Sequence, residues 1–305
     1  MNKKISLGLT FTLIAAAVVI SAAAAVFLSI RVFNKIIIDL PAREAAYKFL
    51  TEADNIIRTN YYGDVDPDIA GEGQVSGYLK ALPLGTNYYM SPDEYSEYKR
   101  DLSASGSVTC ETYASAGYIK IHSFTDNTAK EFRHAVDELT GKNATVLIID
   151  LRGVQSINTE GAAGVIDEIA PIASAGTGVI ASAVNRDGKT ITSFSSDADS
   201  ISLPMAVLIN GRTGGAAELV ACDVRDFGKG IIVGEKSMGS GGYQQIFELS
   251  GGGAITLTTG VIIPYSSDTY DGEGVTPDFT VKNQGEDTGN LSDDEQFMKA
   301  YTEVS

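Results

Sequence analysis

Twice in this chain a short apolar run leads into a segment of helical period and then into a second apolar run. In the first instance "GYIKIHSF" alternates like a strand, "DNTAKEFRHAVDEL" sets Phe132, Val136 and Leu139 on one helical stripe, and "ATVLIID" is a continuous apolar strand. In the second, "PMAVLIN" passes through a helix at 215–227 to "GIIVGE" at 230–235. Strand, helix, strand in this order is a βαβ unit, normally right-handed and built on a parallel sheet, so the expected class is α/β. "YQQIFELSGGGAITLTTGVII" adds two strands around a Gly251-Gly252-Gly253 turn.

Helical signals lie on both sides of these units. "LPAREAAYKFLTEADNIIRTNYYGDVDPD" carries Ala46, Phe49, Leu50, Ile56 and Ile57 at helical spacing and breaks at Gly63 and Pro67. In "SPDEYSEYKRDL", Ser91 as N-cap, Pro92 at the first helical position and Glu94 three after the cap form a capping-box pattern. Ser292 and Glu295 predict the same box for a final helix in "LSDDEQFMKAY". The small-residue spacing of "GAAGVIDEIA" at 161–170 reads as close helix packing.

Residues 5–30 are 26 positions without a charge. As a helix they would span about 39 Å, more than the roughly 30 Å of a hydrocarbon core, and so predict one tilted transmembrane helix. Lys3 and Lys4 precede the run, and Arg31 and Lys35 follow it. A two-lysine stub, one apolar helix and a large body is the layout of a signal anchor, with the stub inside and the body extracytoplasmic. The rival is a cleaved signal peptide, for which "SAAAA" at 21–25 offers small residues, although the apolar run continues past it.

A surplus of 39 acidic over 23 basic residues gives a formal charge of −16, which repels phosphate backbones and excludes nucleic acid as an expected partner. His122, His134, Cys110 and Cys222 show no zinc-ligand spacing, so neither metal nor cofactor is expected. The histidines read as surface or rim residues, and Cys222, within "ELVACDV", as a small buried hydrophobe whose pairing with Cys110 the sequence leaves open. "GSGGYQ" at 239–244 lacks the full dinucleotide fingerprint and a helix after it.

The tight strand-to-helix turn in "NGRTGGAAELVACDVRDFG", residues 210–228, is where an α/β enzyme often mounts a nucleophile or cradles a phosphate. Its centre, Thr213 to Ala217, contains neither serine nor cysteine. The succession "YYGDVDPD", "GYLKAL", "YYMSPDEY", "GYIKIHSFTDNTAKEF", "LIIDLRG", "VLIN", "AEL", "RDFGKGIIVGEKSMG", "YQQIFEL" and "GEGVTPD" resembles the carboxyl-terminal processing (tail-specific) serine peptidases, in that family's order, from about residue 44 to the end. The resemblance implies an α/β core of the crotonase-like kind, a helical N-terminal part and a body outside the cytoplasmic membrane. It also implies a PDZ domain ahead of the core, but only "KRDLSASGSVTCETYASAG" separates Tyr98 from Tyr118, too short for one. The expected organisation is a stub and anchor at 1–36, a helical part at 37–105, the α/β core at 106–285 and an acidic C-terminal helix or tail at 286–305.

Carried over by position, the family's nucleophilic serine falls on Gly215, three before Glu218, and its general-base lysine on Ser240, four before Gln244. Glycine has no nucleophile, and a seryl hydroxyl is far too weak a base to replace a neutral lysine. Where the family's oxyanion loop reads asparagine, proline, glycine, glycine, this chain has Val154, Gln155, Ser156 and Ile157. Asp226 matches an aspartate that often accompanies the site, and Gln244 matches the glutamine. The expectation is a pseudo-peptidase that binds a protein or peptide ligand or serves assembly, with oligomerisation open. The alternative is an active serine-type endopeptidase with a non-standard nucleophile among Thr213, Ser237 and Ser240 and a base in Lys229 or Lys236.

Overall fold

The computed structural model describes residues 40–170, 178–196, 200–282 and 289–305, together with the isolated positions Ala17, Ser21 and Val26. The expected anchor at 5–30 thus lies, but for those three positions, outside the described residues. No helix among the described residues is long and apolar enough to cross a membrane.

The chain divides into two compact units, 1–70 and 71–305. In the first, helix α1 (Leu40–Asn60) follows the predicted period and leaves Phe49, Leu50, Ile56 and Ile57 exposed. Pro67, read in the sequence as a breaker, instead opens helix α2 (Pro67–Lys80). Its fixed φ suits the first helical position, and Asp66 Oδ1 caps the turn by accepting from the amides of Asp68 and Ile69 at 2.9 and 3.1 Å.

The larger unit is a mixed α/β body. Its six-stranded sheet runs β13 (Phe279–Thr280), β10 (Gly230–Gly234), β8 (Met205–Ile209), β4 (Val146–Asp150), β3 (Ala116–Ile121) and β2 (Val108–Tyr113). The first five are parallel neighbours, and β2 closes the edge antiparallel to β3. Every residue of β4 and β8 is buried, as central parallel strands covered on both faces must be. Both predicted βαβ units are present: β3 and β4 flank α4 (Thr128–Gly141), and β8 and β10 flank α6 (Ala216–Asp226). Phe132, Val136 and Leu139 of α4 join α5 (Thr159–Ile169) and α6 in the main core.

The opposite face is covered by α7 (Glu295–Val304), whose fully buried Phe297 meets Tyr113 and Tyr118 edge-on. Its start corrects the predicted Ser292–Glu295 box. Leu291–Asp293 form a 3-10 turn, and Asp294 is the cap, accepting from the amides of Gln296 and Phe297. The same end is held by "DLRG": Arg152 pairs with Asp150 through Nε and Nη2, and reaches Asp294 Oδ2 at 2.7 Å and Gln296 Oε1 at 2.9 Å. At Ser91 the predicted capping box is present in full.

A second sheet orders β1 (Tyr88–Met90), β12 (Ala254–Ile263), β6 (Val179–Val184) and β7 (Thr190–Ser195), with β11 (Gly242–Glu248) also paired to β12. The β11–β12 hairpin turns at Gly251–Gly253, where Gly252 takes a φ of +87°. Cys110 and Cys222 are both free.

Candidate active site

The turn between β8 and α6 has the geometry of an elbow that presents a side chain. Gly215 sits at φ +67°, ψ −127°, a conformation that is costly for any residue with a Cβ. Three contacts fix its backbone: its amide donates to Glu218 Oε2 at 2.9 Å, its carbonyl accepts from the Tyr270 hydroxyl at 3.0 Å, and it pairs in parallel with Ser156.

Glu218 is fully buried and joins separate segments. Besides the Gly215 amide, its carboxylate accepts from the amides of Gly239 and Ser240, at 2.6 and 2.7 Å, and from the Ser237 hydroxyl. Ser237 Oγ in turn accepts from the Val275 amide at 2.7 Å. A carboxylate can accept only, so four donors directed at its two oxygens use most of its capacity. The positions aligned with the family's nucleophile and base are thereby brought together: the amides of Gly215 and Ser240 meet on the same oxygen.

The segment aligned with the oxyanion loop is clamped against this elbow. Thr213 Oγ1 donates to the Leu151 carbonyl at 2.9 Å, the Gly153 amide donates to Asn210 Oδ1 at 3.0 Å, and the Gly214 amide donates to the Val154 carbonyl at 2.9 Å. Gln155 and Ser156 (β5) pair with Gly214 and Gly215 (β9). In consequence a Cβ placed on Gly215 would stand 2.1 Å from the Ser156 carbonyl oxygen. Backbone occupies the place where a nucleophile's side chain would start.

Gly215, Ser240, Gln244, Gln155, Ser156 and Ile157 all line one cleft of about 370 Å³. Val154, by contrast, is buried in the core. Gln244 Oε1 is buried there with no hydrogen-bond partner among the described residues. Asp226 lies at the far end of α6, where its carboxylate accepts from the amides of Ser266 and Ser267 and holds that loop. Two of the three alternative nucleophiles are committed elsewhere: Thr213 is fully buried between Leu151 O and Asn210 N, and Ser237 between Glu218 and Val275, while the third, Ser240, lines the cleft. Lys229 Nζ is bound to the Ile201 carbonyl at 2.7 Å and Lys236 is exposed. Neither lysine lines the cleft.

Sequence reasoning missed Glu218 as a structural hub, using it only to fix the alignment. Its place at the third position of a helix was the available signal, since a glutamate there reaches back to the cap amide. It also missed Asp223, fully buried on α6. Asp223 Oδ1 accepts from the Tyr265 amide at 2.9 Å, while Oδ2 has no partner among the described residues. Burial, reinforced by Asp226, holds its carboxyl well above the usual carboxylate range.

Two outcomes are expected. Glu218→Gln turns a donor NH₂ toward backbone donors and should lower unfolding free energy by about 2–4 kcal/mol in a urea titration. Asp223 binds its proton more tightly folded than unfolded, so it favours the fold most below about pH 4 and that contribution is lost as pH rises toward the raised folded value. Asp223→Asn keeps an acceptor for Tyr265 and should flatten the fall; midpoints that track the unmodified protein between pH 4 and 8 would refute this.

The profile of Peptidase family S41 matches residues 115–281. The chain is 31% identical over 169 residues to carboxyl-terminal-processing peptidase 1, chloroplastic, of Arabidopsis thaliana, covering 54% of this chain and 33% of that protein. It is 34% identical over 145 residues to a carboxyl-terminal-processing protease of a Synechocystis species, covering 47% and 33%. This chain thus spans about a third of the length of these two relatives. A lipoprotein from Streptococcus agalactiae shares the fold, with a TM-score of 0.57 over 71% of this chain and 79% of that one at 14% identity. The elbow, the parallel units around it and these matches lead to one assignment: the chain belongs to peptidase family S41 and is a homologue of the C-terminal processing peptidases.

Proposed function

We propose that this chain is a non-hydrolytic, membrane-anchored member of its family that holds an extended peptide in the cleft beside Gly215. The observation that carries the reading is the 2.1 Å between a Cβ on Gly215 and the Ser156 carbonyl oxygen. A serine could enter there only if the clamped 151–156 segment moved, and real Cβ atoms do not approach that closely. The base position supports the same reading, because the cleft lining contains no lysine or histidine among the described residues and Ser240 cannot take a proton from another hydroxyl near neutral pH.

Peptide holding needs neither group. Strand β11 is paired only to β12 among the described residues, and its Gly242 and Gln244 line the cleft, so a strand with an unpaired second edge lies at hand for strand addition. Processing activity is named for the relatives, and their full length is about three times what this chain aligns to. The uncharged run at 5–30 supports a single anchor with the body extracytoplasmic.

The purified chain is expected to leave casein intact, and Gly215→Ser with Ser240→Lys is expected to stay inert while losing about 1–3 kcal/mol of stability to strain. Replacing Val154–Ile157 by Asn-Pro-Gly-Gly in that background should release the clash and raise activity above the double variant. Hydrolysis by the unmodified chain that disappears in Ser240→Ala, a hydroxyl that does line the cleft, would establish the active alternative. For topology, protease added outside intact cells should remove the body and leave the N-terminal stub in the membrane. A soluble mature chain beginning near Val26 would show a cleaved signal peptide instead.

A further inference from the structure

The cleft beside Gly215 does not end at Ile157. A second depression of about 360 Å³ adjoins it and shares three of its lining residues, Tyr98, Ser156 and Ile157. The two lie side by side past the elbow, with Tyr98 among the residues that border both, and are treated together as one groove. Such a trough suits an extended chain better than a compact small molecule.

The charges along the groove are of one sign. Among the described residues no lysine, arginine or histidine lines either depression, and Asp101 is the charged residue of the lining. Glu160 and Asp126 line neither depression themselves but adjoin the lining residues Thr159 and Thr125. Burial first, then Tyr88 and these two carboxylates, push the Tyr98 hydroxyl up to about 12, so the phenol remains a neutral O–H. Glu160 and Asp126 are both exposed, and Glu160 has only a long contact, 3.4 Å, from the Tyr243 hydroxyl. Asp101 meets Arg100 at 3.9 Å on the open surface, a pairing worth little. Tyr88 joins Tyr98 in the wall, and an aromatic face beside carboxylates is an attractive place for an ammonium or guanidinium. On the Gly215 side the wall is Met238, Ile157 and Ile262, with the unpartnered Gln244 Oε1 as an acceptor.

Resting on the reading of this groove as a peptide holder, we infer that its ligand is a cationic extended peptide, with a lysine or arginine at Tyr98 beside Asp101 and near the rim carboxylates Asp126 and Glu160, and uncharged residues along the Gly215 side. Charge complementarity carries the choice: an acidic segment would meet three carboxylates and no base, while a neutral one would forgo the attraction. The inference goes beyond the family assignment, since neither fold nor elbow dictates the sign of the ligand.

The test uses the full chain and ten-residue peptides of alanine, serine and valine, acetylated and amidated, with lysine, norleucine or glutamate at the fifth position. At low salt the lysine peptide should bind about tenfold tighter than the norleucine peptide, with the glutamate peptide weakest, and the gap should shrink as salt rises. Asp126→Asn with Glu160→Gln should cut the preference for the lysine over the norleucine peptide without abolishing it, since Asp101 remains. Asp187→Asn with Glu303→Gln, an equal charge change outside the groove lining, should preserve the preference. Equal binding of lysine and norleucine peptides would overturn the charge inference while leaving peptide holding intact. Loss of preference in the Asp187/Glu303 variant would also overturn it, assigning the effect to bulk charge. Failure of all three peptides to bind would instead remove the peptide-holding reading itself.

Discussion

The buried carboxylate of Glu218 is the contact on which the elbow depends. A carboxyl group deep in a protein is costly unless its oxygens are supplied with donors, and here they come from Gly215, Ser237, Gly239 and Ser240. One side chain thereby fixes the first turn of α6, the 237–240 segment and, through Ser237, the chain at Val275. The arrangement satisfies backbone amides that a tight turn would otherwise leave buried and unpaired. It depends on a position three residues into the helix and on backbone atoms elsewhere, which explains how the turn keeps its shape with glycine at its apex.

That independence separates frame from chemistry. The sheet, the two crossover units and the clamp from Leu151 to Ser156 are held by backbone pairing and buried apolar side chains, none of which requires a nucleophile. With Gly215 at a positive φ and no Cβ, the Ser156 carbonyl moves into the space a side chain would need. The fold and the reacting groups are thus separable, because function resides in a few side chains placed on the fold.

The electrostatics of the groove follow from composition acting locally. A formal charge of −16 makes an acidic rim ordinary, and exposed carboxylates there cost little to maintain in water. What distinguishes the stretch near Tyr98 is that Asp101 borders a concave wall with that ring, among whose described lining residues no basic side chain occurs. A charge beside low-dielectric surface is screened less than one on an open face, so the same carboxylates exert more selectivity there.

Periodicity alone determined the α/β class, the parallel pairs β3–β4 and β8–β10, the burial of Phe132, Val136 and Leu139, and the cap at Ser91, because each rests on local spacing. Residue identity alone determined that Gly215 brings no nucleophile and Ser240 no base. Local signals failed where distant segments compete. α7 begins at Glu295 because Asp294, tied to the distant Arg152, caps it in place of Ser292. At Pro67 the missed signal was local, since the adjacent Asp66 caps the helix that the proline opens. Asp226 accepts from the amides of Ser266 and Ser267 and holds that loop, a contact the sequence did not indicate. Only the tertiary structure decided that Glu218 gathers four donors, that Gln244 lines the cleft without a partner, and that the Ser156 carbonyl fills the space above Gly215. Those facts join segments far apart in sequence, and the distances between such segments are set by how the sheets and helices pack, which no local pattern encodes.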